Sequence, residues 1–270
     1  MEKKTYLNEC LQKNVLVRWT EKMMPLTIYV APFRWYQAQD SEAAQYKYKG
    51  MVLDALRMWE AATEGAFRYQ IVDKLYDSMI NIDWRRVDRS SLGNCNFNFN
   101  SKGYLYSADV QIGLSDGVIH QQYMSESEVR HTIIHEIGHA LGLQHSPFDS
   151  DIMYVPHKYG ITQASPRDKM TLKWLYKLPA GVPPKEIISS YSDGDAKSLD
   201  EMVYNLVTQK EASKFENIAK SLAQTGEERD LLDENEKLGN LKLYHMSLSH
   251  IEVSTDVKDY IKKIKMDKKK

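Results

Sequence analysis

The chain of 270 residues carries only two cysteines, Cys10 and Cys95. Two thiols cannot build a disulfide scaffold, and nothing around them in the sequence pairs them. No apolar run approaches the ~18 residues that a bilayer-crossing helix requires, so no transmembrane segment is expected. Neither sign of charge dominates: 36 Lys and Arg stand against 37 Asp and Glu, a formal net charge of −1. A nucleic-acid binder draws its affinity from a basic surface, so no nucleic-acid partner is expected. The opening residues, MEKKTYLNECLQKN, lack the apolar stretch of a secretory signal. The last third is poor in rigid and bulky residues. All five tryptophans and all eight prolines lie at or before Pro184, and only Phe215 of the six phenylalanines lies after it.

What remains is an ordinary globular composition, 42% hydrophobic and 27% charged, with length for one to two domains. The stretch Pro179–Pro184 (PAGVPP) breaks regular structure. The expected organisation is an N-terminal lead over 1–18, a mixed α+β domain over 19–178, a linker over 179–184 and a helical extension over 185–270. Within the domain, Leu26–Val30 reads as a strand bounded by Pro25 and Pro32. Val52, Leu53, Leu56 and Trp59 recur at helical spacing, with Gly65 as a stop. Phe67–Val72, Met79–Trp84, Asn94–Phe99 and Ala108–Leu114 read as further strands. The order β-α-β-β-β-β-α suggests a twisted mixed sheet packed by helices.

Two later helices announce their starts. Ser125 with Glu128 forms a capping box, and Ser165-Pro166-Arg167-Asp168 combines an N-cap serine, a proline at the first helical position and an acid at the third. Asp168 is read as a helix cap. In the extension, Leu199, Met202, Val203 and Leu206 fit one helical face, and Phe215, Ile218, Ala219 and Leu222 fit another. Lys258–Lys270 closes the chain with seven lysines and reads as a solvated tail.

The segment His135-Glu136-Ile137-Gly138-His139-Ala140-Leu141-Gly142-Leu143-Gln144-His145 carries the chemistry. His135 and His139 are four apart on a helix and project from one face, a separation at which two nitrogens bind one Zn²⁺ at about 2.0–2.1 Å each. Glu136, beside the first histidine, reaches the metal's neighbourhood without ligating it, the placement a general base needs. Gly142 tolerates a left-handed conformation, so it stops the helix and turns His145 back as a third ligand. Three protein ligands leave one position open, as in catalytic rather than structural zinc sites.

HEIGHALGLQH resembles the extended zinc motif of the metzincin metalloproteases, and Ser146 directly after it is similar to the matrixin branch, the matrix metalloproteinases and their bacterial relatives. Asp151-Ile152-Met153-Tyr154 resembles the Met-turn of that family, with Met153 as a hydrophobic floor beneath the ligands. The resemblance covers roughly residues 19–178. It implies a metzincin-like domain: a mostly parallel sheet with an antiparallel edge strand (Asn94–Phe99 by order), a long active-site helix and the Met-turn. It also implies hydrolysis of peptide bonds by a zinc-bound water, with Glu136 as general base and then acid. The partner so implied is a protein or peptide substrate, which an exposed strand edge can bind as an added strand.

For the pocket that takes the substrate side chain, the resemblance points to Tyr159 and Ile134, though Ile134 reads equally well as an ordinary core residue. The family has Pro-x-Tyr where this chain has Pro156-His157-Lys158-Tyr159, one residue longer. Animal matrixins carry a second, structural zinc, but Arg85–Leu92 has no histidine, so one catalytic ion is expected and no second zinc. Asp109, Asp116 and His120 read as scattered surface residues, and calcium binding stays open. Cys10 lacks the Pro-Arg-Cys-Gly setting of the family's latency cysteine. His131 and His157 flank the motif at offsets that do not fit ligands. Family relatives act outside the cell or in the envelope. The alternative function is a catalytically silent, zinc-stabilised binding module acting through its helical extension. Glu136 argues against it, because binding alone needs no base.

Overall fold

A computed structural model describes residues 4–33, 41–86, 92–115, 124–158, 160–192, 196–210 and 212–213. The chain divides into two compact units, Met1–Tyr204 and Asn205–Lys270. The apolar face at 215–222 and the lysine run at 258–270 lie outside the described residues.

The first unit opens with a small antiparallel hairpin, β1 (Leu11–Gln12) and β2 (Val15–Leu16). Its turn residues Lys13 and Asn14 both take positive φ, 49° and 64°, the twist that a two-residue hairpin loop demands. After β3 (Leu26–Val30) comes α1 (Ser41–Ala62), whose buried face is Met51, Val52, Ala55, Leu56 and Trp59. The helix gives way to Glu64 and Gly65, both at positive φ. Then follow β4 (Tyr69–Val72), β5 (Ile80–Arg86), β6 (Gly93–Phe99) and β7 (Leu105–Ser115). Three helices follow, α2 (Glu126–Ala140), α3 (Pro166–Lys177) and α4 (Pro184–Tyr191), and residues 199–210 are helical as well.

The sheet order is β4-β3-β5-β7-β6. β3 is parallel to β4 and β5, and β5 to β7, whereas β6 pairs antiparallel with β7 and forms the edge. This is the mixed, mostly parallel sheet with an antiparallel edge at Asn94–Phe99 that the resemblance implied. Strand alternation sends Ile28, Ile80, Ile82, Ala108, Val110 and Ile112 into the core, all essentially without exposure. α2 packs on β6 and β7, and α1 packs on α2. Two buried indoles tie α2 to its surroundings: Trp19 Nε1 donates to the carbonyl of Ala140 at 2.8 Å, and Trp59 Nε1 to that of Ile134 at 3.2 Å.

The compact unit takes in the expected lead, the Pro/Gly stretch and the start of the expected extension. Tyr6, Leu7, Cys10, Leu16 and Val17 are core residues. Gly181, at φ +71°, donates its N–H to the Leu16 carbonyl, and a Cβ there would lie 2.2 Å from the Lys102 carbonyl oxygen. Of the helical face read from the sequence, Leu199, Met202 and Val203 are buried too, and Leu206 is half-buried. Composition near residue 180 reports where helices and strands break. It does not report which distant parts of the chain pack together.

If residues near the N-terminus belong to this core, Leu7→Ala is expected to cost about 2–5 kcal/mol, the range for emptying a buried leucine site. Urea denaturation of the variant beside the wild type measures it.

Candidate metal centre

α2 starts as read: the Ser125 side chain accepts from the Glu128 N–H, and the Glu128 carboxylate accepts from the Ser125 N–H at 2.8 Å. The helix ends in a Schellman turn. Gly142 N–H donates to the His139 carbonyl and Leu143 N–H to the Gly138 carbonyl. Gly142 has φ +107°, and a Cβ there would sit 2.6 Å from the Val17 carbonyl oxygen. Backbone conformation and packing both demand glycine at this turn.

The turn brings His145 back beside the helix. One nitrogen from each of His135, His139 and His145 lies within 4.8 Å of the others, a group able to hold a metal ion. Ring centroids are 4.8 Å apart for His135–His139, 5.4 Å for His135–His145 and 4.8 Å for His139–His145. His135 is buried and His145 exposed, so the cradle opens to solvent on the His145 side.

The hydrogen bonds decide which nitrogens face inward. His135 Nδ1 is 2.8 Å from the Ile152 carbonyl oxygen, and His139 Nδ1 is 2.8 Å from the Leu143 carbonyl oxygen. A carbonyl only accepts, so each Nδ1 carries the hydrogen and each Nε2 keeps its lone pair. The two Nε2 atoms face each other at 3.1 Å. Two nitrogens at 2.0–2.1 Å from one tetrahedral ion would be about 3.3 Å apart. Two facing lone pairs repel unless a cation stands between them. Burial makes a proton a poor choice, because it pushes His139 down to about 4 and His135 well below its ordinary value. Burial lowers His145 as well. The donor set therefore fits a metal such as zinc, held by three neutral imidazoles.

Glu136 is buried beside this group, and burial raises its carboxyl to about 8. The edge strand presses on it. A Cβ on Gly93 would come within 2.7 Å of Glu136 Oε1 and 2.6 Å of Thr132 Cγ2, so only glycine lets β6 approach this closely. Cys95, two residues on, is half-buried, and burial with the nearby Glu136 charge raises its thiol. Both cysteines are unpaired.

Met153 is fully buried, and a Cβ on Gly138 would lie 2.6 Å from its Sδ. The thioether thus packs against α2 at the missing side chain between the two helical histidines. Its loop is closed by the Ser146 N–H donating to the Met153 carbonyl at 2.9 Å. Inside the loop the buried Asp151 carboxylate accepts from Ser146 Oγ at 2.6 Å, Ser165 Oγ at 2.8 Å and the Arg167 guanidinium at 3.1 Å. Arg167 lies over the Phe148 ring at 3.8 Å. Asp168 does cap α3, as expected, but it also accepts from the Ile152 N–H at 2.9 Å.

Ile134 is buried in α2, and Tyr159 lies outside the described residues, as do Asp116 and His120. Asp109 is exposed and accepts from the Asn81 amide at 3.3 Å. His131 stacks on His135 with centroids 5.9 Å apart, meets His157 edge-on at 3.8 Å and bonds through Nδ1 to the Ile161 carbonyl. It stands behind the ligand cluster and is not among the three. Sequence reasoning missed the bracing roles of Asp151 and Asp168 and the close approach at Gly93. Only the cap position of Asp168 had a local signal.

A family model described as Matrixin, a peptidase family, matches residues 31–177, more than half of the chain. The chain belongs to the matrixins, a family of zinc metallopeptidases. A comparison with curated protein sequences finds no match. One similar solved structure is titled "GM1 bound form of the ECX AB5 holotoxin". The likeness has 16% identity, covers 68% of this chain and 94% of that one, and has a TM-score of 0.41, too low to bear on function. No helix among the described residues is long and apolar enough to cross a membrane.

The buried groups set opposite pH dependences in the metal-free protein. The folded value for Glu136, about 8, lies above its ordinary 4.5. The stability it contributes is thus full below pH 4.5 and is lost as the pH rises through 8. Glu136→Gln is expected to make the metal-free protein more stable by roughly 3 kcal/mol near pH 7, with no difference below the ordinary value. His131 and His139, both lowered to about 4, contribute stability above 6.5 that is lost as the pH falls through 4. Urea titrations of the wild type and the glutamine variant across this range check both signs.

Proposed function

We propose that this protein is a zinc-dependent endopeptidase in which His135, His139 and His145 hold the ion and Glu136 is the general base. One observation carries the reading. The two helical imidazoles commit their Nδ1 hydrogens to carbonyls and turn their Nε2 lone pairs toward one point, 3.1 Å apart. Zinc bound there would supply Lewis acidity, lowering the pKa of water and polarising a scissile carbonyl. Glu136 takes up a proton from the attacking water and delivers it to the leaving amine.

β6 is the outermost strand of the sheet among the described residues, and its edge suits an extended peptide, which would pair with it as an added strand and lie alongside Glu136. Gly93 keeps the distance between that edge and the base short. Met153 supports the ligand helix from below and takes no part in proton transfer. The substrate is therefore read as an unfolded or extended stretch of protein, and Ile134 and Tyr159 are the proposed pocket residues. One zinc ion suffices for this chemistry. An extracellular or envelope location is the reading that accompanies the family.

Glu136→Gln is expected to retain stoichiometric zinc and to lose activity on protein substrates by about 10²–10⁴-fold, the usual worth of a positioned base. Equal turnover by variant and wild type, each with zinc bound, would remove Glu136 from the mechanism. Gly93→Ala is expected to keep zinc while lowering kcat/KM by at least about tenfold, since the new methyl displaces the base from its place. Metal analysis alongside steady-state kinetics reads both outcomes.

A further inference from the structure

The chain's own first turn reaches the ligand shell from outside the matched region 31–177. Tyr6 is fully buried, and its hydroxyl donates to Asp168 Oδ1 at 2.7 Å. Asp168 is itself without exposure. Its other oxygen, Oδ2, accepts from the Ile152 N–H at 2.9 Å and from the Ser165 N–H at 2.8 Å. The Ile152 carbonyl in turn accepts from His135 Nδ1 at 2.8 Å. Three short bonds thus connect a phenol near the N-terminus to a histidine imidazole, through one carboxylate and the backbone of one residue, Ile152.

The phenol is fixed at its own end. The Tyr6 N–H donates to Thr171 Oγ1 on α3 at 3.2 Å. On the other side, Asp200 Oδ1 accepts from Thr5 Oγ1 at 2.8 Å and from the Leu7 N–H at 2.6 Å, and Asn8 Oδ1 accepts from the Leu199 N–H at 3.2 Å. Residues 5–8 are therefore clamped between α3 and the helical turn at 199–203.

We propose that Tyr6 is a positioning residue for the metal centre, acting through Asp168 and the backbone of Ile152 to hold the His135 imidazole in its ligating orientation. The proposal rests on the zinc reading above. The physical case is that a buried carboxylate keeps its place only while its oxygens are satisfied. Oδ2 is bound by two backbone donors, and the Tyr6 hydroxyl is the side-chain donor on Oδ1. Without that hydroxyl, Asp168 is drawn to shift or to take up a proton, and the Ile152 backbone, whose N–H it holds and whose carbonyl aims His135, moves with it. Outer partners of this kind tune affinity because they set ligand orientation.

The experiment compares zinc affinity, by competition with a chromogenic chelator, and the visible spectrum of the cobalt-substituted protein for wild type, Tyr6→Phe and Asn8→Ala. Tyr6→Phe removes only the hydroxyl. Asn8→Ala removes a bond of the same clamp that lies off the route to His135. The expected result is about 3- to 10-fold weaker zinc binding and a changed cobalt spectrum for Tyr6→Phe, at the lower end of outer-partner effects because the contact is indirect. Asn8→Ala should keep wild-type affinity and spectrum even if its melting temperature falls as far. Combining Tyr6→Phe with Asp168→Asn should weaken zinc binding no more than Asp168→Asn alone. Unchanged affinity and spectrum in Tyr6→Phe, an equal shift in Asn8→Ala, or additive effects in the double variant would each overturn the inference while leaving the zinc reading intact. A wild-type chain that takes up no zinc would overturn both.

Discussion

The centre depends on two bonds between imidazole and carbonyl, His135 to Ile152 and His139 to Leu143. Each bond settles a tautomer, and together they aim two lone pairs at one point. The rest of the structure serves to put those carbonyls where they are needed. Leu143 is placed by the Schellman turn that ends α2, so helix termination and ligand orientation are one event. Ile152 is placed by a loop whose own shape comes from Asp151 inside it and Asp168 behind it. Losing either carbonyl would leave a buried ring free to rotate and a buried N–H without an acceptor.

Close approach is the second constraint. Helix α2 is approached on two sides by groups that no side chain could allow: Met153 at Gly138 and the edge strand at Gly93. The first seats a soft thioether under the ligand helix. The second brings a strand edge beside Glu136, so the surface suited to an extended peptide adjoins the proposed base. The same dense packing strips water from Glu136 and the histidines. That desolvation raises the carboxyl and keeps the imidazoles neutral. Packing and electrostatics here have one cause.

The features legible in the sequence are those with local physical causes. The capping boxes at Ser125–Glu128 and Ser165–Asp168 involve neighbours on one turn, and both are present as read. Strand positions followed from alternation, and the edge placement of Asn94–Phe99 followed from the resemblance. Membership of the matrixins, visible in HEIGHALGLQH, is shown by the match over 31–177. Asp168 was legible as a cap, yet its bonds to Tyr6 and Ile152 were not, because those partners are 162 and 16 residues away. Asp151 was legible only as part of the segment that resembles the Met-turn. Nothing in a string of residues says that Ser146, Ser165 and Arg167 will converge on it. The proline-rich stretch near 180 marked a change in composition, while the buried residues on both sides of it belong to the same compact unit.

By itself, the sequence determined the three-histidine group and its local geometry. A four-residue spacing puts two histidines on one helical face whatever surrounds the helix, and a glycine at the stop permits the left-handed turn that returns the third. These are consequences of helical period and backbone sterics, which act over a few residues. Tertiary structure decided the rest: which nitrogen of each ring faces inward, how near the edge strand lies to Glu136, and that the N-terminal turn braces Asp168. It also set the protonation of the centre, because desolvation depends on what the fold packs around a group and not on its neighbours in the chain.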